Sequence, residues 1–295
     1  MPEYILSCES TADLSADKLK QIDVEYICFH FFIDGVEYPD DLGQSVPFDK
    51  FYQSMADGAE TKTAAIGSGE YEKYFRRFLE QGKDVLHVSL SSGLSSTVES
   101  ARIAAASLRA EFPERTLYIV DSLGASSGYG LIMDTLSDMR AAGKGIDEVH
   151  DWIEEHKLEL RHDFFSTDLT FYVKGGRVKP AAGFVGNLLK ICPLLDMDAA
   201  GHLIPREKIR TKKRVIKRIA EKMLAQADGG AAYTGKVFIS ESACMDDAQA
   251  VAALVKKNCP NMNGEVLINS IGTTIGSHTG PGTVALFYWG SKRGE

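Results

Sequence analysis

From residue 4 to residue 142 the chain alternates short apolar runs with stretches of ten or more residues in helical spacing, and this alternation restricts the fold more than any other feature. Two parallel strands need a crossover of about a dozen residues, so strand, helix, strand in succession builds βαβ units and a layered sheet. The runs at 4–8, 25–33, 84–90 and 116–120 are expected to be strands. Helices are expected after Thr11 through residue 20, from Pro47 to about 55, from Ser68 onwards, from about 94 towards 111, from about 125 to 142, and as an acidic segment over 146–160. In the third of these, Tyr71, Tyr74, Phe75, Phe78 and Leu79 fall on one face.

The pattern changes near residue 160. Phe164-Phe165 and 169–173 look like strands or strand edges, and 193–198 with 202–205 flank Ala199-Ala200-Gly201 as a hairpin. A helix over 211–227, a strand over 236–240, a helix over 246–257 and strands over 266–271 and 283–289 complete the chain. Mixed hairpins and crossovers mark an α+β lobe. The fold class is therefore α/β and two-lobed: an N-terminal parallel-sheet α/β domain over 1–159 and a C-terminal α+β domain with a mixed or antiparallel sheet over 160–295. A length of 295 residues suits two such cores. The ligand site is expected between the lobes, at the carboxyl ends of the parallel strands.

Composition narrows the class of function. A net charge of −8 argues against a broad nucleic-acid footprint. The basic cluster Arg206, Lys208, Arg210, Lys212, Lys213, Arg214, Lys217 and Arg218 is the exception, and a solvated face is favoured over a docking face for an acidic partner. The N-terminus enters a strand without a basic region and apolar run, and no stretch reaches the roughly 18 apolar residues of a membrane helix. A soluble, cytoplasmic protein without stable membrane insertion is expected. Five scattered cysteines without a Cys-x-x-Cys pair fit reduced thiols. No metal motif, Walker lysine or dinucleotide glycine pattern occurs, so no metal and no nucleotide cofactor are expected.

The chemistry concentrates in Ser91-Ser92-Gly93-Leu94-Ser95-Ser96-Thr97, where five hydroxyls crowd between a strand and a helix. Such a turn aims unpaired backbone N–H groups and the positive end of the helix dipole at one point, and the hydroxyls add neutral donors. Helix capping is the simpler explanation for any single serine. The loops at 7–11 and 121–127, the latter containing Ser122, share the same hydroxyl-rich chemistry and the same place after a strand. A serine-dependent acyl hydrolase using Ser95 with His278 as base stays open, although no G-x-S-x-G elbow is present.

Five segments in order carry a resemblance: Ser10-Thr11-Ala12-Asp13-Leu14, the serine turn at 91–97, Asp121-Ser122, Lys174-Gly175-Gly176-Arg177-Val178, and Gly276-Ser277-His278-Thr279-Gly280-Pro281-Gly282. Together the chain resembles the DegV family over nearly its whole length. The resemblance implies one long-chain fatty acid bound between the lobes by a non-catalytic protein, which in some bacteria presents the acid to a separate fatty acid kinase subunit. It implies further that Ser95 and Thr63 hold the carboxylate, with His278 closing the network and Arg177 contacting the head group or the partner. Ser96, Ser92 and Ser122 are the further candidates. Where the family usually has Thr-Asp-Ser, Thr-Ser-Gln-Pro and glycine, this chain has Cys8-Glu9-Ser10, Thr63-Ala64-Ala65-Ile66 and Ser96. Ser96 is the candidate to replace the hydroxyl missing at Ala64. The acyl slot is expected among Phe164-Phe165, Phe171-Tyr172, Phe184-Val185, Leu188-Leu189, Ile191 and Leu194-Leu195, all in the second domain.

Overall fold

The computed structural model describes residues 4–178 and 191–294. Strand β1 (Tyr4–Glu9) is followed by a 3-10 turn and the short helix α1 (Ala16–Gln21), which Ser15 caps by accepting the Lys18 N–H. Next come β2 (Val24–Ile27), β3 (His30–Ile33), β4 (Val36–Pro39), α2 (Phe48–Ala56), β5 (Thr61–Ala64), α3 (Ser68–Leu79), β6 (Asp84–Ser89), α4 (Thr97–Glu111), β7 (Leu117–Asp121), α5 (Ser127–Ala141) and α6 (Ile146–His156). The remainder contains β8 (Leu160–Ser166), α7 (Thr170–Lys174), β9 (Ile191–Met197), β10 (Leu203–Arg210), α8 (Lys212–Gln226), β11 (Phe238–Glu241), α9 (Met245–Asn258), β12 (Leu267–Ser270), α10 (Thr273–Thr279) and β13 (Thr283–Trp289).

Strand pairing follows the sequence periodicity. The first half forms a parallel sheet in the order β2-β1-β6-β7, and the second forms a six-stranded sheet in the order β10-β9-β8-β13-β11-β12. That second sheet is antiparallel except where β11 meets β12. The fold is thus the expected two-lobed α/β arrangement. A small antiparallel sheet, β4-β3-β5, is additional.

Four local expectations are corrected. The apolar run 25–33 is two strands in two sheets: Phe29 donates its N–H to Ser10 Oγ at 3.0 Å and accepts from Asp40 N at 2.8 Å, so the backbone leaves one ladder before joining the next. Residues 169–173 lie largely in α7, because Asp168 Oδ1 accepts the Thr170 N–H at 2.8 Å and bends the chain into a helical start. Helix α4 begins at Thr97 rather than near 94, and the acidic helix α6 ends at His156.

Helix α5 binds the lobes together. It touches β1 of the parallel sheet and β8, β11 and β13 of the mixed sheet, and most of its residues are buried. A Cβ on Gly128 would stand 2.2 Å from His162 Nε2, so only glycine allows this approach. One apolar core accordingly runs unbroken from Tyr4 and Leu86 to Phe164, Leu195 and Phe287. A second fills the far side of the six-stranded sheet, beneath α8 and α9. Among the described residues, no helix is long and apolar enough to cross a membrane, and all five cysteines are unpaired.

Candidate functional site

The serine turn leaves the end of β6 under several restraints. Leu90 donates its N–H to the buried Glu9 carboxylate at 2.9 Å, and Ser92 N–H reaches Asp121 Oδ1 at 3.2 Å. Ser91 Oγ donates to Gly201 O in the β9–β10 turn at 2.9 Å, which ties the two lobes at this point. Gly93 makes that contact sterically feasible, since a Cβ there would lie 2.6 Å from the same carbonyl. Ser95 Oγ accepts the Thr97 N–H at 3.3 Å, so it does cap α4. Among the described residues its own proton has no acceptor. Ser96 is exposed at the start of α4 and makes no side-chain cap.

Opposite stands α10. Its first turn rests on two buried carboxylates: Gly272 N–H reaches Asp13 Oδ1 at 2.9 Å, and Thr273 Oγ1 reaches Asp40 Oδ1 at 2.9 Å. Burial raises both carboxyls above the usual range. The last turn of α10 carries His278, whose Nε2 lies 2.8 Å from Thr63 Oγ1 on β5. Burial, with the neighbouring Arg177 charge, pushes His278 down to about 4, so the ring is neutral near neutral pH. Among the described residues its Nδ1 has no hydrogen-bond partner.

Arg177, just beyond α7, donates through Nε to Leu94 O at 3.2 Å and through Nη1 to Gly175 O at 2.6 Å. It bridges the lobes at the serine turn. Partial burial lowers it from the usual arginine range, and among the described residues no carboxylate pairs with it. The turn that the sequence presents as an anion seat lacking a fixed charge therefore has one beside it.

Thr63, Ser95, Ser96, Arg177 and His278 line a single cavity of about 980 Å³, part of it open to solvent. Two candidates stand apart from it. Ser92 is exposed, and Ser122 is buried with its hydroxyl spent on its own turn, between Gly124 N and Gly124 O. The cavity wall comes from both lobes, with Phe29, Leu90 and Leu94 facing Phe164, Met197 and Phe287, which corrects the expectation of a slot built by the second domain alone. Phe164 and Tyr172 are the sequence candidates that line it. Phe165 and Leu194 pack into the core under α8, Leu195 joins the shared core, and Phe171 packs against the aromatic cluster of α2. Ile191 is a half-buried strand residue paired with Arg210, and Phe184, Val185, Leu188 and Leu189 lie outside the described residues. Ala65, rather than Ala64, lines the cavity, as strand alternation dictates once Thr63 faces it. The hydroxyl missing at Ala64 is missing from a position that does not line the site.

Glu9 was not singled out by sequence. It is fully buried, accepts from Tyr71, His87, Ser89 and the Leu90 N–H, and lies at the carboxyl end of β1. An acid closing an otherwise apolar strand, before a hydroxyl-rich loop, was the available signal. Among the described residues no group of His, Cys, Asp and Glu could hold a metal ion.

A mainly apolar cleft with polar groups along its wall, set between the sheets of a two-lobed, interlocked α/β fold, has the form of a small-ligand site. The chain belongs to the DegV family: the profile described as "Uncharacterised protein, DegV family" matches residues 6–290. It is 32% identical over 293 residues to a DegV domain-containing protein of Clostridium perfringens, covering 99% of each chain. It is also 31% identical over 284 residues to a protein of Thermotoga maritima named as a fatty acid-binding protein, covering 94% of each. A DegV family protein of Thermus thermophilus, described for its fatty acid binding, superposes with a TM-score of 0.86 at 26% identity over 98% of this chain and all of the other. The fatty acid kinase B3 protein of Streptococcus pneumoniae, loaded with linoleic acid, has a TM-score of 0.84 at 18% identity over 99% of this chain and all of its own, a likeness of fold alone.

Proposed function

We propose that this protein binds one long-chain fatty acid in the interlobe cleft, with Ser95, Ser96, Thr63 and His278 at the carboxylate and Arg177 beside it. The carrying observation is that these five residues line one cavity whose wall is predominantly apolar. A fatty acid has that polarity. Burying about 15 methylene groups at about 0.8 kcal/mol each gives on the order of 12 kcal/mol of gross driving force, which ordering and association costs reduce. Apolar burial thus provides affinity, while the hydroxyls and the first amides of α4 fix the direction of the chain. The relatives described as fatty-acid-binding support the same reading.

We further propose presentation of the bound acid to a separate kinase subunit, the protein itself being non-catalytic. The carboxylate is held by hydroxyl and imidazole groups with the single charge of Arg177 beside it, which leaves an oxygen free to attack a phosphoryl group. An adjoining cleft, open to solvent, shares Thr63, Arg177 and His278 and adds Lys174 and the Lys62–Glu60 pair (3.3 Å), which leaves Lys174 and Arg177 as the cations that could meet a phosphate. In this account the lobes divide at residue 160, between α6 and β8, and the protein works in the cytoplasm. The hydrolase alternative has less support: Nε2 of His278 is engaged by Thr63, among the described residues no acid orients Nδ1, and a ring held at about 4 is a weak base at neutral pH.

The test is a titration with a fluorescent long-chain fatty acid, followed by incubation with ATP and a fatty acid kinase catalytic subunit. Saturable one-to-one binding and acyl-phosphate formation that needs both proteins are expected. Absence of binding overturns the first proposal, and binding without acyl phosphate overturns the second.

A further inference from the structure

Beyond the head group, most hydroxyls lining the cleft are already paired. Ser126 donates to Asp13 and shares a second hydrogen bond with the Ser240 hydroxyl at 2.9 Å; Thr283 meets Tyr172 at 2.9 Å; Thr279 reaches Gly280 O at 3.4 Å. Thr274 differs. It lines the cleft, is only 3% exposed, and its Oγ1 has no hydrogen-bond partner among the described residues. Asp40 is close by and accepts from Thr273 Oγ1 at 2.9 Å and from the Thr274 N–H at 3.4 Å. The Thr274 hydroxyl favours the ionised carboxyl from nearby without a hydrogen bond of normal geometry.

Buried hydroxyls are rarely left unpaired, because the bonds they lose with water are not replaced. An aliphatic chain passing Thr274 cannot replace them either. Thr274 and His278 are four residues apart on α10, on one face and separated by one turn, about 6 Å along the axis. A chain anchored at His278 therefore brings its early methylene groups within the range of Thr274. A hydroxyl on the chain would satisfy Thr274 either as donor or as acceptor.

We propose that Thr274 is a second polar station within the cleft, which makes the protein take fatty acids hydroxylated on the chain in preference to plain ones. The proposal rests on the fatty-acid account of the site. It names the substrate class more narrowly than the head group does, because every fatty acid offers the same carboxylate. The discrimination has a physical basis: a site with a polar group to satisfy selects against the analogue that lacks the partner.

The experiment is competition for a bound fluorescent fatty acid by octadecanoic acid and by a positional series of monohydroxylated octadecanoic acids, on the wild-type protein, Thr274→Val and Thr274→Ser. At least one isomer should bind the wild type about fivefold tighter than the plain acid, the size expected of one neutral hydrogen bond. Thr274→Ser should keep this preference, and Thr274→Val should lose it while binding the plain acid at least as well. A wild type that binds plain acid as tightly as every isomer overturns the proposal, as does a preference that survives in Thr274→Val. Should none of the three proteins take up any fatty acid, the account of the site falls and this proposal with it.

Discussion

His278 illustrates how a side chain acquires its role from its surroundings. Free histidine titrates near 6.5, but burial and the Arg177 charge hold this ring down to about 4, which leaves a neutral imidazole to share a hydrogen bond with Thr63. The unfolded chain takes up a proton first as the pH falls, so folding stability attributable to this group declines between about 6.5 and about 4 and is fully lost below. Urea midpoints measured across that interval should fall less steeply for His278→Gln than for the wild type, and equal slopes would refute the assignment. Ser95 contributes differently. Its oxygen caps α4 while its proton remains available for an anion, so Ser95→Ala should weaken fatty-acid binding by about 1.5 to 3 kcal/mol, the worth of a charge-assisted hydrogen bond. Calorimetric titration reads this directly, and unchanged affinity would place the head group elsewhere. Of these residues only the serine turn was legible from local sequence. The pairing of Thr63 with His278 joins positions 215 residues apart, which no spacing rule encodes; the family resemblance implies both residues at the head group but not their hydrogen bond.

At the scale of elements, Glu9 knits β1 to α3 through Tyr71, to β6 through His87 and Ser89, and to the start of the serine turn through Leu90. Burial alone would raise its carboxyl, but the His87 interaction and the hydroxyl donors outweigh burial and hold it below the ordinary value. Its stabilisation is therefore present above the ordinary carboxylate range and disappears as the pH drops through the depressed value. Glu9→Gln should cost about 3 kcal/mol in denaturant unfolding near neutral pH, because it leaves His87 and several hydroxyls partly unsatisfied. A loss under about 1 kcal/mol would show that the network is not a structural centre. Gly93→Ala should cost about 1 to 3 kcal/mol by driving a methyl group into Gly201 O, where the serine turn meets the second lobe. The parallel sheet was legible because its helices and strands differ in period. The run 25–33 was not, since continuous apolar residues carry no mark where a chain changes sheets. Residues 169–173 misled for a related reason: Phe171, Tyr172 and Val173 favour strands, and the Asp168 side chain that turns them into α7 outweighs that preference.

Over the whole molecule, a shared core and the helix α5 hold the two sheets in one body, so the cleft is a gap left between packed layers. Its walls could not be assigned from sequence because Phe29, in the link between β2 and β3, and Phe287, on β13 of the mixed sheet, come to one cavity only after the lobes pack. Four of the eight cations in the basic cluster of β10 and α8 form ion pairs: Arg206 with Asp196, Lys212 with Asp247, Lys217 with Glu221 and Arg218 with Glu207. It is mainly a solvated face, of small energetic weight. A ligand that binds only the folded state should stabilise the protein by about 2.7 kcal/mol at a hundredfold excess over Kd, so long-chain fatty acids should raise the melting temperature in proportion to the logarithm of their concentration. The most direct measurement is mass spectrometry of the lipid released when the purified protein is denatured. The account predicts one long-chain fatty acid per chain, reduced in Ser95→Ala; a protein that releases none, and takes up none when offered an excess, contradicts it.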